Sequence, residues 1–221
     1  MLPSPPAWAI RGKIVKGFQR GGTQLGFPTA NVKLDEACIS NLSKFLNTVW
    51  CGFCVIEGNT IVPGKEHLYD EATPCTSFDV KSQNGSGSVT RIYPTVLSVG
   101  TNPHFKNVAL TVEPYIMYKF DEDFYGRTLR VVAVKQLRQM GAFISLNALI
   151  AEIKNDCVLG GKILISEDVG LPLRFAVMDP TNFNLKRFPT VVDDDNDDDD
   201  DNSVKPSFRF LGNQGMNNAH V

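Results

Sequence analysis

Apolar residues recur along this chain mostly at the spacing of strands. Ala9 to Val15 alternates weakly and predicts a strand. Thr48 to Glu57, "TVWCGFCVIE", is almost continuously apolar and rich in Val, Trp, Phe and Ile, which predicts a buried strand. Tyr93 to Val99 resumes that pattern. The clearest signal is the pair "ALTVEPYIMYKF" and "TLRVVAVKQL", joined by "DEDFYGR" with Gly126 placed to supply the positive φ of a turn. Only one region switches to the helical period. Leu146, Leu149, Ile150 and Ile153 stand at i, i+3, i+4 and i+7 behind Ser145, a candidate N-cap. That helix is expected to continue towards Ile165, weakened at Gly160 and Gly161 by roughly 1 kcal/mol each. "CISNLSKFLN", Cys38 to Asn47, predicts a short helical turn. Gly58 to Thr90 contains Pro63, Pro74 and "SQNGSGS" and reads as an insertion between strands. Several short strands, few helices and no βαβ alternation predict an antiparallel sheet or a small closed barrel.

Composition narrows the class. Apolar residues make up 43% of the 221, with 14 Phe among them, enough for a real core. No run of 18 apolar residues predicts a membrane span. "MLPSPPAWAIRGK" lacks the charged and apolar regions of a secretory leader, so none is expected. Five cysteines without framework spacing favour a reducing compartment. Cys51 and Cys54 form C-x-x-C, but inside a strand pattern rather than at a helix start, so they are expected to be core residues. The formal charge of −2 hides an asymmetry. "DDDNDDDDD", Asp193 to Asp201, holds eight aspartates, and without them the charge becomes +6. A mildly basic body suits an anionic ligand, and the acidic run is expected to be a disordered tail.

Three features carry candidate chemistry. "RGGTQLGFPTAN", Arg20 to Asn31, is glycine-rich and lies between strand patterns. Glycines let backbone N–H groups close on a phosphate. The segment is neither a Walker A loop nor G-x-G-x-x-G, so a plain hairpin turn remains the alternative. Thr29 and Asn31, two apart, point the same way in an extended chain and offer oxygens to a hard cation such as Mg²⁺. Turn capping is the plainer role for both. Glu113 shares a strand face with Thr111, and Pro114 after it predicts a sheet edge or a bulge. A carboxylate there can take a proton from a hydroxyl, or simply face solvent.

In combination, "GKIVKGFQRGGTQLGFPTAN", "SVGTNPHFKN", "TVEPYIM", "DFYG" and "LRQMGAF…SLNALIAEIKND" resemble riboflavin kinase (flavokinase) in content and order. The resemblance covers residues 10 to 158, interrupted at 58–92. It implies a six-stranded antiparallel Greek-key barrel with a C-terminal α-helix. It also implies transfer of the γ-phosphate of ATP to the 5′-hydroxyl of riboflavin, giving FMN and ADP. By the same resemblance, Gly17, Gly21, Gly22 and Thr23 lie against the nucleotide. Thr29 and Asn31 bind Mg²⁺ or another divalent cation and the phosphates, and Ile116, Tyr118 and Tyr125 take the adenine side. Glu113 becomes the base, with Arg138 and Phe143 beside the flavin. Ile116 and Tyr118 fall on the opposite parity from Glu113, which a bulge at Pro114 would reconcile. Thr23 stands where some members carry lysine, and Gln139 and Met140 where Pro and Glu are common.

The implied organisation is an N-terminal tail (1–9), the barrel and helix (10–165), an extension (166–190) and an acidic tail (191–221). A bifunctional kinase and FAD synthetase would need a further domain, for which the polar C-terminal stretch is too short. A non-catalytic flavin-binding barrel is the other alternative, but it would not need Thr29, Asn31 and Glu113 together. A nucleic-acid-binding barrel would want aromatics interleaved with several Lys or Arg. The expected partners are small molecules, riboflavin and ATP with their products. Neither nucleic acid nor membrane is expected; a cytoplasmic monomer is.

Overall fold

A small barrel closes only when each of its strands has two neighbours. The structure, a computed structural model, describes residues 7–16, 26–58, 61–67, 76–81, 89–102, 109–178 and 207–210. In chain order it builds β1 (Trp8–Val15), β2 (Asn31–Val32), α1 (Glu36–Leu42), β3 (Thr48–Ile56), β4 (Gly64–Glu66) and β5 (Phe78–Lys81). Then come β6 (Val89–Asn102), β7 (Ala109–Ile116), β8 (Tyr118–Phe120), β9 (Thr128–Gln139), α2 (Leu146–Leu164), α3 (Gly170–Leu173) and β10 (Ser207–Phe210). Going round the barrel, β1 pairs β9, β9 pairs β3, β3 pairs β6 and β6 pairs β7, all antiparallel. The short β2 pairs β1 through Ile14↔Val32. Just before β2, a bridge Thr29↔Tyr115 and a bond from Ala30 N to Pro114 O at 2.8 Å join the same stretch to β7. The expected six-stranded Greek-key barrel with its C-terminal helix is what the chain forms. Its closure is slender, because β2 is the last stave.

Burial follows from this geometry. All nine residues of β3 are buried. One face points into the barrel, where Trp50 and Cys54 meet Trp8, Leu97, Val112 and Val131. The other face lies beneath α2 and the extension, where Cys51, Phe53 and Val55 meet Leu164 and Val177. A strand covered on both sides reads as a continuous apolar run rather than an alternation. Cys51 and Cys54 therefore sit on opposite faces, and burial pushes the Cys54 thiol far above its ordinary range. Both are core residues, as expected. Trp8, Trp50 and Phe45 plug one barrel end, with ring centroids 5.0–5.6 Å apart.

Helix α2 keeps its predicted cap. Ser145 Oγ accepts from Ala148 N at 3.1 Å and starts α2. The helix runs through Gly160 and Gly161 without interruption. A Cβ on Gly160 would stand 2.9 Å from Cys51 Cβ, so the glycine is what lets α2 approach β3. Gly126 has the positive φ, 79°, that its turn requires. The helical turn expected over 38–47 is α1 followed by a 3₁₀ turn, Ser43–Phe45.

Three outcomes differ from the sequence pattern. Pro114 does not make a bulge: the β6–β7 register is unbroken from Thr95↔Ile116 to Asn102↔Ala109. Its carbonyl faces the closing segment, so its missing N–H falls on the edge side of β7, where it costs no ladder bond. The 58–92 insertion contains β4 and β5 and the start of β6, which runs 14 residues. The stretch expected as a disordered tail contributes β10, antiparallel to β1 from Trp8↔Phe210 to Arg11↔Ser207. The aspartate run lies outside the described residues.

Candidate active site

β7 presents two faces, and each looks into a different cavity. Glu113 and Tyr115 face outward, beneath α2. Ile116 faces inward, and Tyr118, past the break at Met117, joins it. Their parity therefore needs no bulge, since the residues serve opposite sides of one strand.

The outer cavity, about 230 Å³, lies between the barrel wall and the start of α2. Glu113 lines it with Phe27, Thr29, Tyr115, Arg138, Phe143 and Asp156. Thr111 Oγ1 donates to Glu113 Oε1 at 3.2 Å, confirming that the two share a face. The mouth is apolar: Met140 and Phe143 line the cavity and are both exposed. Arg138 is not a loose cation. Its Nε and Nη2 reach the two oxygens of Asp156 at 2.8 and 2.7 Å, and Nε lies 3.2 Å from Glu152. Its guanidinium carbon stands 5.7 Å from the Phe143 ring centroid. Asp156 holds the Arg138 guanidinium above its ordinary pKa, while burial pushes the Asp156 carboxyl up against the pull of Arg138. This pair ties the end of β9 to α2 and so fixes the cavity's width. Asp156 closes the quoted stretch "SLNALIAEIKND", but the resemblance attached no role to it, although it continues the stripe Leu149, Ile153, where a carboxylate is out of place.

The second cavity, about 440 Å³, opens at the barrel end opposite the tryptophan plug. Ile14, Thr29, Ala30, Ile116, Tyr118, Phe120, Phe124 and Tyr125 line it, with Lys119, Asp121, Glu122 and Asp123. Its apolar floor is a cluster of aromatic rings packed edge to face or tilted. Tyr118 lies 5.1 Å from Tyr93 and 5.0 Å from Phe120, which lies 4.6 Å from Phe124.

Thr29 lines both cavities. The closing segment is thus also the partition between them. Of the residues singled out in the sequence, Thr29, Glu113, Arg138 and Phe143 meet in the outer cavity, and Thr29, Ile116, Tyr118 and Tyr125 in the inner one. Asn31 pairs with Val15 on β1, half-buried, and is not a lining residue of either. Gly17, Gly21, Gly22 and Thr23 lie outside the described residues. Among those described, no group of three or more His, Cys, Asp or Glu could hold a metal ion, and no helix is long and apolar enough to cross a membrane.

Known proteins resemble this chain in sequence and in fold. The riboflavin kinase family model matches residues 4–164. A human riboflavin kinase is 35% identical over 147 residues, 66% of this chain and 74% of that protein. One from Yarrowia lipolytica is 31% identical over 71% of this chain and 81% of its own. The crystal structure of riboflavin kinase from Trypanosoma brucei superposes with a TM-score of 0.58 at 26% identity, covering 95% of this chain and 99% of that one. The family match ends where α2 ends, so it takes in every described element that builds the two cavities. On that ground the chain belongs to the riboflavin kinase family.

Proposed function

We propose that this chain phosphorylates riboflavin at the seam between the two cavities, with Glu113 as the general base. The observation that carries this is Thr29, one residue shared by an apolar-mouthed cavity holding a carboxylate and a larger cavity floored by aromatics. The isoalloxazine ring suits the first, against Phe143 and Arg138, and its ribityl chain points inward to Glu113. Adenine suits the second, against Ile116, Tyr118 and Tyr125. The acceptor hydroxyl and the γ-phosphate then meet beside Thr29.

In the transfer, the hydroxyl oxygen forms a bond to the γ-phosphorus as the bond to the β-phosphate oxygen breaks. The hydroxyl proton passes to Glu113, and ADP leaves. Most of the acceleration in such reactions comes from positioning and charge neutralisation. The described walls of the nucleotide cavity carry three carboxylates, Asp121, Glu122 and Asp123, against one ammonium, Lys119. Phosphates there need added positive charge. The neutral oxygens of Thr29, and of Asn31 two residues on, suit a divalent cation that is otherwise bound by phosphate and water. When bound, that cation neutralises charge developing on the phosphates.

A coupled assay tests this. Purified protein with riboflavin and Mg-ATP is expected to yield FMN and ADP. Glu113→Gln should lower kcat by about 10²–10⁴-fold with riboflavin affinity nearly unchanged. Equal loss of turnover and of flavin binding would remove Glu113 from the base role. Flavin binding without FMN would leave a non-catalytic flavin barrel.

A further inference from the structure

No described residue of the 58–92 insertion lines either cavity, yet the insertion touches the wall of the inner one at two places. We propose that it braces that wall: Asp79, acting through Arg91, holds Tyr118 against the nucleotide, which makes Asp79 a positioning residue for ATP. This rests on the inner cavity being the nucleotide's.

The first contact is through backbone. β4 pairs with β8 through Gly64↔Phe120, Lys65↔Lys119 and Glu66↔Tyr118. Tyr118, Lys119 and Phe120 are the residues of β8, and all three line the cavity. Among the described residues, β4 is the only strand that pairs with β8. β8 follows directly on the break at Met117, where the barrel ladder with β6 has ended. Without β4, a short edge strand would have to hold its place by side chains alone.

The second contact is through side chains. Asp79 on β5 stands directly opposite Arg91 on β6. Its two carboxylate oxygens accept from Arg91 Nε at 2.7 Å and Nη2 at 2.9 Å. This two-point clamp fixes the plane of the guanidinium. The remaining nitrogen, Nη1, is thereby aimed at Tyr118 and donates to its hydroxyl at 3.1 Å. The guanidinium carbon also stands 5.9 Å from the Tyr118 ring centroid. Tyr118 is only 5% exposed, and its ring is wedged between Tyr93 and Phe120. The hydroxyl bond sets how far that ring reaches into the cavity. Asp79 touches neither cavity, so any effect it has on nucleotide must pass along this line.

The test uses the full chain and five variants: Asp79→Asn, Asp79→Glu, Tyr118→Phe, the double variant of Asp79→Asn with Tyr118→Phe, and Tyr125→Ala. ADP affinity is read by calorimetry, and kcat and both KM values by FMN formation. Asp79→Asn and Tyr118→Phe are each expected to weaken ADP binding and raise the KM for ATP about three- to tenfold. The KM for riboflavin should stay within about twofold. The double variant should be no worse than either single one, and Asp79→Glu should restore ADP affinity. Asp79→Asn raising both KM values alike, or leaving ADP affinity unchanged while Tyr125→Ala weakens it, overturns the brace. Tyr125→Ala removes an exposed wall of the same cavity with no link to Asp79. If it leaves ADP affinity unchanged, the nucleotide lies elsewhere, and the cavity assignment itself fails.

Discussion

Asp156 is 3% exposed, yet it is a carboxylate on the buried stripe of a helix. What keeps it there is Arg138, bound at two points. Removing one partner of such a pair leaves the other desolvated without compensation. Asp156→Ala is therefore expected to cost about 2–4 kcal/mol in urea unfolding. Glu152→Ala, which removes a longer, more exposed contact to the same arginine, should cost under about 1 kcal/mol. Equal costs would mean that Asp156 does not anchor α2 to β9. Residues of this kind are the least legible in a sequence. Thr29, Glu113, Arg138 and Phe143 could be singled out because the resemblance attaches a role to each, and they do converge on one cavity. Asp156 and Tyr115 gave only faint signals, a carboxylate on an apolar stripe and the same parity as Glu113. Their roles depend on partners 18 and 48 positions away, Arg138 and His67, whose Nδ1 lies 2.8 Å from the Tyr115 hydroxyl.

Helix α2 shows how an element can keep residues that its own propensity disfavours. An isolated helix would gain roughly 1 kcal/mol from alanine at position 160. Packed on β3, the same alanine would press on the side chain of Cys51, a fixed strand residue rather than a flexible tip. Overpacking of this sort costs typically 1–3 kcal/mol. Gly160→Ala should therefore lower stability by about 1 kcal/mol net. A rise in Tm would show that α2 can lift away freely. Strong elements were readable from their period alone: β3, β7, β9 and α2 all lie where the pattern put them. Weak elements were not. β4 has three residues, among them Gly64 and a charge pair, and nothing in that stretch favours a strand. It forms because β8 offers an open ladder. Of the edge or bulge expected at Pro114, the structure takes the edge and not the bulge. A proline can sit in an unbroken ladder when its missing donor faces outward, and sequence does not say which way that is.

At the scale of the molecule, β10 is the largest departure from expectation. It lies beyond a run of eight aspartates, yet it pairs with the first strand. That pairing occupies backbone groups of β1 that β2 is too short to reach. A chain ending at residue 202 would leave the Trp8–Arg11 edge open, and open edges recruit other chains. Such a truncation is expected to lower Tm and to increase self-association in light scattering. Because the described linings of both cavities come from other elements, the kcat for FMN formation should be unchanged below the transition. A fall in kcat at full folding would tie this strand to the reaction after all.

The stave that closes the barrel has one more consequence. On the proposed assignment of the two cavities, donor and acceptor are kept apart, and yet within reach, by the residue that latches the wall shut. Barrel and catalyst therefore cannot be uncoupled: a molecule whose latch has slipped has also lost the threshold across which the phosphoryl group must pass. Turnover in this protein is a gauge of closure, and a kinetic trace read during heating would register the opening of the seam before the rest of the barrel had begun to melt.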